Sequence, residues 1–464
     1  MQVWTSIFFL IFFLLLGLAA YKSYNKNRSS QEFIFAGLNI GAVLGFLTFA
    51  AALFSAFTFM GMPDFFRNHG AGAWTFLALS DGFMVFFMLW FAYRLRKKAK
   101  VLGYQGIAGM VSKAYGNKWA GYLMFFSAFV FLIPYVSIQI RGISIFLEAS
   151  YPGVIPFWGW AVGLAVIMLI YSEIGGMKAI IYSDAIQALL LLLVIWIIGA
   201  VCLSKTGGLS NTFLKLADIK PELLHTPGPS GLFTTQFLIA SAISIVLIPV
   251  TQPQFTTRLV MMKDLSSVHK MCYAVGFFAI LVILPTAFIG FYGAINYPDA
   301  NTSDFLTNAL LHDQLPFVAA LAVVGLFAAC LSTTNAQIFA LGTELRSLIN
   351  SGTDQSKMRI TKIALAVFTL IVLIFSSVMS NELALLAKVS FTGTSMVAPV
   401  VFGAILYEKP SKNLLYLSLV CLFVFIASLL NLIPSMIVGW RLDILLYVVL
   451  AVGFVASHFH IKNS

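Results

Sequence analysis

The sequence predicts an all-α polytopic membrane protein, and three observations carry that prediction. The chain is 60% hydrophobic and only 10% charged, too little charge to cover the surface of a soluble domain of this length. Its apolar residues come in runs of about 20, the length that crosses roughly 30 Å of hydrocarbon. A helix there satisfies its own backbone and needs no polar face. The basic residues gather in short breaks between the runs, as in RLRKKAK with Arg94, Arg96, Lys97, Lys98 and Lys100. The net charge of +11 therefore reads as the positive-inside pattern that orients a membrane protein, not as a nucleic-acid surface.

Taken in order, the runs give about 13 spans. The first covers 3–21 and is followed by Lys22, Lys26 and Arg28. With no positive charge before it and several after it, the segment reads as an uncleaved helix with its N-terminus outside, not as a signal peptide. Spans two to six cover 38–62, 73–94, 118–148, 156–173 and 179–204. A polar loop with Gly207, Gly208, Pro221, Pro227 and Pro229 separates them from spans seven to eleven, at 232–252, 271–296, 316–346, 360–379 and 384–406. Two more spans, 413–432 and 440–458, end the chain. With the N-terminus outside, most of the 28 Lys and Arg residues fall on the cytoplasmic side, and the tail HFHIKNS is cytoplasmic. The chain divides into a first helix and basic loop (1–37), a core (38–410) and a C-terminal helix pair with a short tail (411–464). The bacterial inner membrane is the expected location.

Enzyme chemistry finds no support. No pair of histidines stands at HExxH spacing and no GxSxG occurs. Cys202, Cys272, Cys330 and Cys421 lie in or beside apolar runs, far apart in sequence, and read as small packing residues rather than a metal or disulfide framework. No cofactor is expected.

Two spans carry polar features that packing alone does not demand. In the second, TFAAALFSAFTFMGMP brings small residues to mid-span, with Gly61 and Pro63 near its end. This is either a close packing seam or a discontinuous helix whose unwound carbonyls hold a cation. In the ninth, LFAACLSTTNAQ sets Ser332, Thr333, Thr334 and Asn335 in a row. Hydroxyls can turn back to their own helix, but four consecutive polar groups cannot all do so. Oxygen ligands of this type suit a hard cation. Asp81, Arg141 and Asp184 are charges inside spans three, four and six, and each requires a cavity, a partner or a function.

Three segments resemble the sodium/solute symporter family. GGMKAIIYSDAIQ (175–187) is similar to its Gly-Gly-x-x-Ala-x-x-x-x-Asp-x-x-Gln signature. TQPQFTTRLVMMKD (251–264) is similar to its Gln-Pro-x-x-x-x-Arg motif, placed by resemblance on the cytoplasmic side after the seventh span. AACLSTTNAQ (328–337) is similar to its Ala-x-x-Ser-Thr sodium motif. The resemblance implies a LeuT-like five-plus-five inverted repeat, with halves at 38–204 and 232–406. It implies a sodium site made by the carbonyls of Ala51, Phe54 and Ala329 and the hydroxyls of Ser332 and Thr333. A second ion would use Asp184 and Asn335. Family members that bind galactose use positions matched here by Thr58 and Asp81, and the shorter Thr58 argues against such a substrate. Gln139 and Arg141 lie on the outer half of the fourth span, where an arginine fork would meet a substrate carboxylate. Alternatively, Arg141 pairs with Asp81 and only joins helices.

The resulting expectation is sodium-coupled uptake of a small polar solute by alternating access from within the lipid bilayer, the solute carrying a carboxylate. Proton coupling through Asp184 or Asp81, and a transporter-like sensor acting with a partner, are the competing readings.

Overall fold

The computed structural model describes residues 1–23, 39–174, 176–349, 351, 353–379 and 382–463. Lys26, Arg28, Gly175 of the Gly-Gly signature and the expected boundary at 37–38 lie outside the described residues.

A peripheral helix α1 (Gln2–Ser23) opens the chain. The second span is α2 (Ala42–Leu53) and α3 (Met62–His69), joined through a π-helical turn at Phe57–Gly61 and bent by 58°. There follow α4 (Ser80–Leu102), the short α5 (Ile107–Tyr115), α6 (Lys118–Ser150), α7 (Phe157–Ile174) and α8 (Gly176–Lys205). After α9 (Leu209–Ile219), the seventh span is divided into α10 (Thr235–Val246), α11 (Ile248–Thr251) and α12 (Pro253–Met261). The remaining helices are α13 (Leu265–Asn296), α14 (Thr302–Thr307), α15 (Pro316–Leu348), α16 (Asp354–Val378), α17 (Leu383–Ser395), α18 (Ala398–Leu406), α19 (Asn413–Leu429) and α20 (Leu442–Asn463). Among the described residues, nine helices are long and apolar enough to cross a membrane, and the bent α2–α3 pair makes a tenth. Three shorter apolar helices accompany them at the expected fifth, seventh and twelfth spans.

Burial sorts these helices. The most apolar stretch of α15 is 89% buried and that of α1 only 22%. So α15 is the axis of the molecule and α1 faces outward. A helix buried all round has its polar residues turned to other helices, which places Ser332 to Asn335 inside the protein. Close packing around the bent span uses glycine. A Cβ on Gly290 would come within 2.5 Å of Pro63 O, so only glycine lets α13 approach α3 this closely.

The structure corrects several sequence boundaries. The RLRKKAK stretch is the last two turns of α4, not a loop. Lys and Arg are good helix formers, and the helix continues as it leaves the apolar layer. Likewise the TQPQFTTRLVMMKD segment does not follow the seventh span. It is that span's second half, reached after a break at Gln252, and Arg258 within it is 1% exposed. The polar segment after 204 contains α9, and α5 is a further helix between spans three and four.

Candidate functional site

The end of α2 sets the geometry. A helix leaves its last carbonyls without internal partners. Here Phe54 turns to extended torsions (φ −93°, ψ 123°), so the chain stops making helical bonds in the middle of the protein. In an apolar interior those groups must be satisfied by other means. Ala50 O accepts the Phe54 amide at 2.8 Å. Ala51 O accepts two hydroxyls from α15, Ser332 Oγ at 3.1 Å and Thr333 Oγ1 at 3.0 Å. Ser332 Oγ also lies 3.0 Å from Ala329 O on its own helix. Leu53 O accepts Tyr135 Oη at 3.3 Å.

Four of the five expected ion ligands, Ala51, Ala329, Ser332 and Thr333, are thus joined by direct contacts. The fifth, Phe54, is the residue at the break itself, and all five are buried. The cluster is all oxygen, with neutral hydroxyls and carbonyls at the negative end of a helix dipole. That donor set fits a small hard cation. No transition-metal cluster of His, Cys, Asp or Glu occurs among the described residues.

The amides freed on the other side of the break are also matched. Ser55 N donates to Thr58 Oγ1 at 3.1 Å, Ala56 N to Gln139 Oε1 at 2.9 Å, and Phe57 N to Ser55 Oγ at 3.1 Å. Gln139 Nε2 donates back to Ser55 Oγ (3.2 Å) and to Tyr135 O (3.1 Å). Thr58 and Gln139 therefore stabilise the broken helix. The sequence places both among groups facing a solute, counts Ser55 only among the small mid-span residues and leaves Tyr135 unassigned. Only the break explains them, since it frees the Phe57 amide that Ser55 accepts and the Leu53 carbonyl that Tyr135 meets.

Asp184 has a partner the sequence had not assigned. Arg258 Nη2 lies 2.9 Å from Asp184 Oδ2, and both side chains are 1% exposed. Thr48 Oγ1 also donates to Asp184 Oδ2. Arg258 Nε reaches Thr48 O and Thr48 Oγ1, each at 3.0 Å, so one guanidinium ties α12 to α2 and α8. Asp184 Oδ1 and Asn335 Oδ1 remain buried with no hydrogen bond among the described residues.

The Asp81–Arg141 pair does not form. Arg141 Nη1 donates to Ser376 O at 3.0 Å, at the end of α16. A carbonyl in an unfinished helical turn supplies what a carboxylate was expected to give. Asp81 is buried on α4, and among the described residues no cation pairs with it. Beyond the sequence candidates, the second break at Gln252 holds two glutamines. Gln254 Nε2 donates to Gln252 Oε1 at 2.7 Å, while Gln252 Nε2 and Gln254 Oε1 are buried without partners. The two Gln residues flanking Pro253 were the available signal.

Comparison with known proteins places this geometry. A family model described as "Sodium:solute symporter family" matches residues 33–414. A sodium/pantothenate symporter of Haemophilus influenzae is 26% identical over 68% of this chain and 63% of that protein, so the match spans under two thirds of its length. The high-affinity proline transporter PutP of Bacillus subtilis is 22% identical over 85% of both. Among solved structures, a Na⁺-coupled sialic acid symporter superposes with TM-score 0.77 over 97% of this chain and 95% of the other, at 16% identity. Mhp1, a nucleobase-cation-symport-1 family transporter, gives TM-score 0.58 over 94% of each chain, at 13% identity. The fold is that of the LeuT-like transporters.

Proposed function

This chain belongs to the sodium:solute symporter family, and from that premise we propose that it takes up a small polar solute by sodium-coupled alternating access. It is a multi-pass membrane transporter and not an enzyme. The observation that carries the sodium reading is the pairing of Ser332 and Thr333 hydroxyls with the orphan carbonyl of Ala51. A sodium ion would replace those two hydrogen bonds with ion–oxygen contacts to Ala51, Phe54, Ala329, Ser332 and Thr333. Because Ala51 and Phe54 belong to the broken span and the other three to α15, the ion would join the two. Its binding energy then depends on their relative position, which is the requirement for coupling.

Asp184 is charge-matched by Arg258 at 2.9 Å, which favours sodium over a proton carried there. A second cation would use Asp184 Oδ1 and Asn335 Oδ1, the acceptors left without partners, and would share Asp184 with Arg258. For the solute, Asp81 offers a buried acceptor for a donor group, and Arg141 would meet a carboxylate by exchanging its contact with Ser376 O for the substrate. The inverted halves at 38–204 and 232–406 would rock about the two breaks. The charge pattern supports a cytoplasmic Lys97 and an external Asn301. Single cysteines there, probed with an impermeant thiol reagent on intact cells, should label at 301 and not at 97.

The direct test is uptake into proteoliposomes of whichever carboxylate, amino acid or sugar stabilises the purified protein only with Na⁺ present. Uptake should stop when choline replaces Na⁺ outside and survive collapse of the proton gradient. The opposite pair of results would make the transporter proton-coupled.

A further inference from the structure

Beside the RLRKKAK turns of α4 lies a cavity of ≈ 320 Å³, at the end of the molecule that the charge pattern assigns to the cytoplasm. Arg96, Lys100, Gly103 and Tyr104 form one wall, and Val260 and Lys263 face them from the link between α12 and α13. Arg96 is fixed in place. Its Nη1 donates to Leu259 O at 3.0 Å and Val260 O at 2.9 Å, closing the end of α12. Its Nε and Nη2 have no protein partner among the described residues. Lys100 is exposed and also has none. Lys263 is 3.9 Å from Asp264, both about half exposed, a weak pair in water.

A fourth cation stands at the rim. Lys113 Nζ donates to Leu102 O at 3.1 Å, and a Cβ on Gly103 would lie 3.7 Å from that ammonium. Gly103 has φ +71°, so glycine is favoured there and the rim stays open. Two acids stand nearby, and Asp264 offsets part of the charge of Arg96 and Lys263. Asp264 Oδ1 accepts the Ser267 amide at 2.7 Å as the cap of α13. Glu344 spends both oxygens on the first amides of α5, Ile107 N at 2.9 Å and Ala108 N at 2.6 Å.

We propose that this cavity, away from the transport site, binds a phosphate-bearing anion. A guanidinium held rigid with free donors, together with flexible ammoniums, matches a tetrahedral oxyanion with several acceptors. The volume suits a small organic phosphate and exceeds what a halide needs. The occupant bridges α4 to the α12–α13 link, so it steadies the inner half of the second broken span. The same chemistry is offered by a soluble phosphate ester and by an anionic phospholipid headgroup at the membrane surface.

The test uses the full-length protein in phosphatidylcholine nanodiscs, titrated with inorganic phosphate and followed by melting temperature and ³¹P line broadening. Saturable binding is expected, weakened about tenfold by Lys100→Gln with Lys263→Gln and unchanged by Lys97→Gln, an exposed lysine that does not line the cavity. A second arm replaces part of the lipid with phosphatidylglycerol. If the headgroup is the occupant, the anionic disc itself raises the melting temperature of the wild type and removes the phosphate effect, again through Lys100 and Lys263. If soluble phosphate is the occupant, its effect persists in both discs. Absence of saturable binding in both arms, or a loss in Lys97→Gln equal to that in the double variant, overturns the proposal.

Discussion

At Phe54 and at Gln252 the backbone leaves the helix with nearly the same torsions, φ −93°, ψ 123° and φ −95°, ψ 122°, yet the two breaks are surrounded differently. Around Phe54 the exposed amides and the carbonyls of Ala51 and Leu53 meet side chains from α6, α15 and the break itself. Around Gln252 the two glutamines pair once and leave one donor and one acceptor buried without partners. The repeat supplies the same backbone twice, and the side chains give each copy its own role. The first break is closed by the protein's own side chains. The second leaves Gln252 Nε2 and Gln254 Oε1 unmatched among the described residues. Arg258 on α12 links that helix to α2 through Thr48, and its Nη1 donates to Gln254 O of its own helix at 2.9 Å.

The largest effect on this arrangement should come from Arg258→Met. It leaves Asp184 buried without a countercharge, at a cost of about 3–5 kcal/mol, read as a lowered midpoint of unfolding in detergent. Adding Asp184→Leu should recover most of the loss, because the stranded charge is then gone. Equal stability of the single variant and the wild type would show that the pair does not hold the two inner helices.

The contrast between the breaks is sharpened by substitutions at each. Gln139→Leu strands the Ala56 amide at the first break and should cost about 1–3 kcal/mol. Gln252→Leu combined with Gln254→Leu removes both partners of the hydrogen bond at the second break, so stability should stay within about 1 kcal/mol of wild type while uptake falls. Matching losses of stability at the two breaks would erase the distinction drawn between them.

Much of the fold is legible in the sequence because hydrocarbon forces it. Runs of apolar residues had no other stable outcome, and AAALFSA beside a Pro-containing segment suggests a broken helix. The ion cluster is legible through the Ser332–Thr333 pair. What the sequence does not show is which polar groups serve the protein itself. Gln139 and Thr58 look like solute ligands until the break at Phe54 is known, because the amides they satisfy would be helix-bonded in an unbroken span. Arg141 looks like a charge in need of a carboxylate until the end of α16 presents Ser376 O. Arg258 looks cytoplasmic until Gln252 is seen as a break and not an end.

A smaller effect belongs to the ion site. Ser332→Ala and Thr333→Ala each remove one of about five ligands, and the sodium concentration for half-maximal uptake should rise about threefold to tenfold, or about 0.7–1.4 kcal/mol. Melting without sodium should hardly change, because Ala51 O keeps its other hydroxyl.

The smallest lies at the C-terminal end of α3, where His69 Nε2 is 4.0 Å from Glu382 Oε2. The imidazole holds the Glu382 carboxyl below its usual range. A depressed carboxylate contributes stability that is complete above its unfolded pKa and disappears as pH falls through the lower folded value. Glu382→Gln should therefore melt slightly lower than wild type at neutral pH, by less than about 1 kcal/mol because Glu382 is half exposed. The two should converge below about pH 4. A difference that grows on acidification would assign the coupling to another group.

Sodium binding at the first break is measured most directly by equilibrium binding of radioactive Na⁺ to the purified protein. Wild type should bind saturably, and Ser332→Ala with Thr333→Ala should abolish that binding while Asp184→Asn leaves it in place. Unaltered binding in the Ser332–Thr333 double variant, or its loss in Asp184→Asn alone, would put the coupling ion elsewhere and contradict the account.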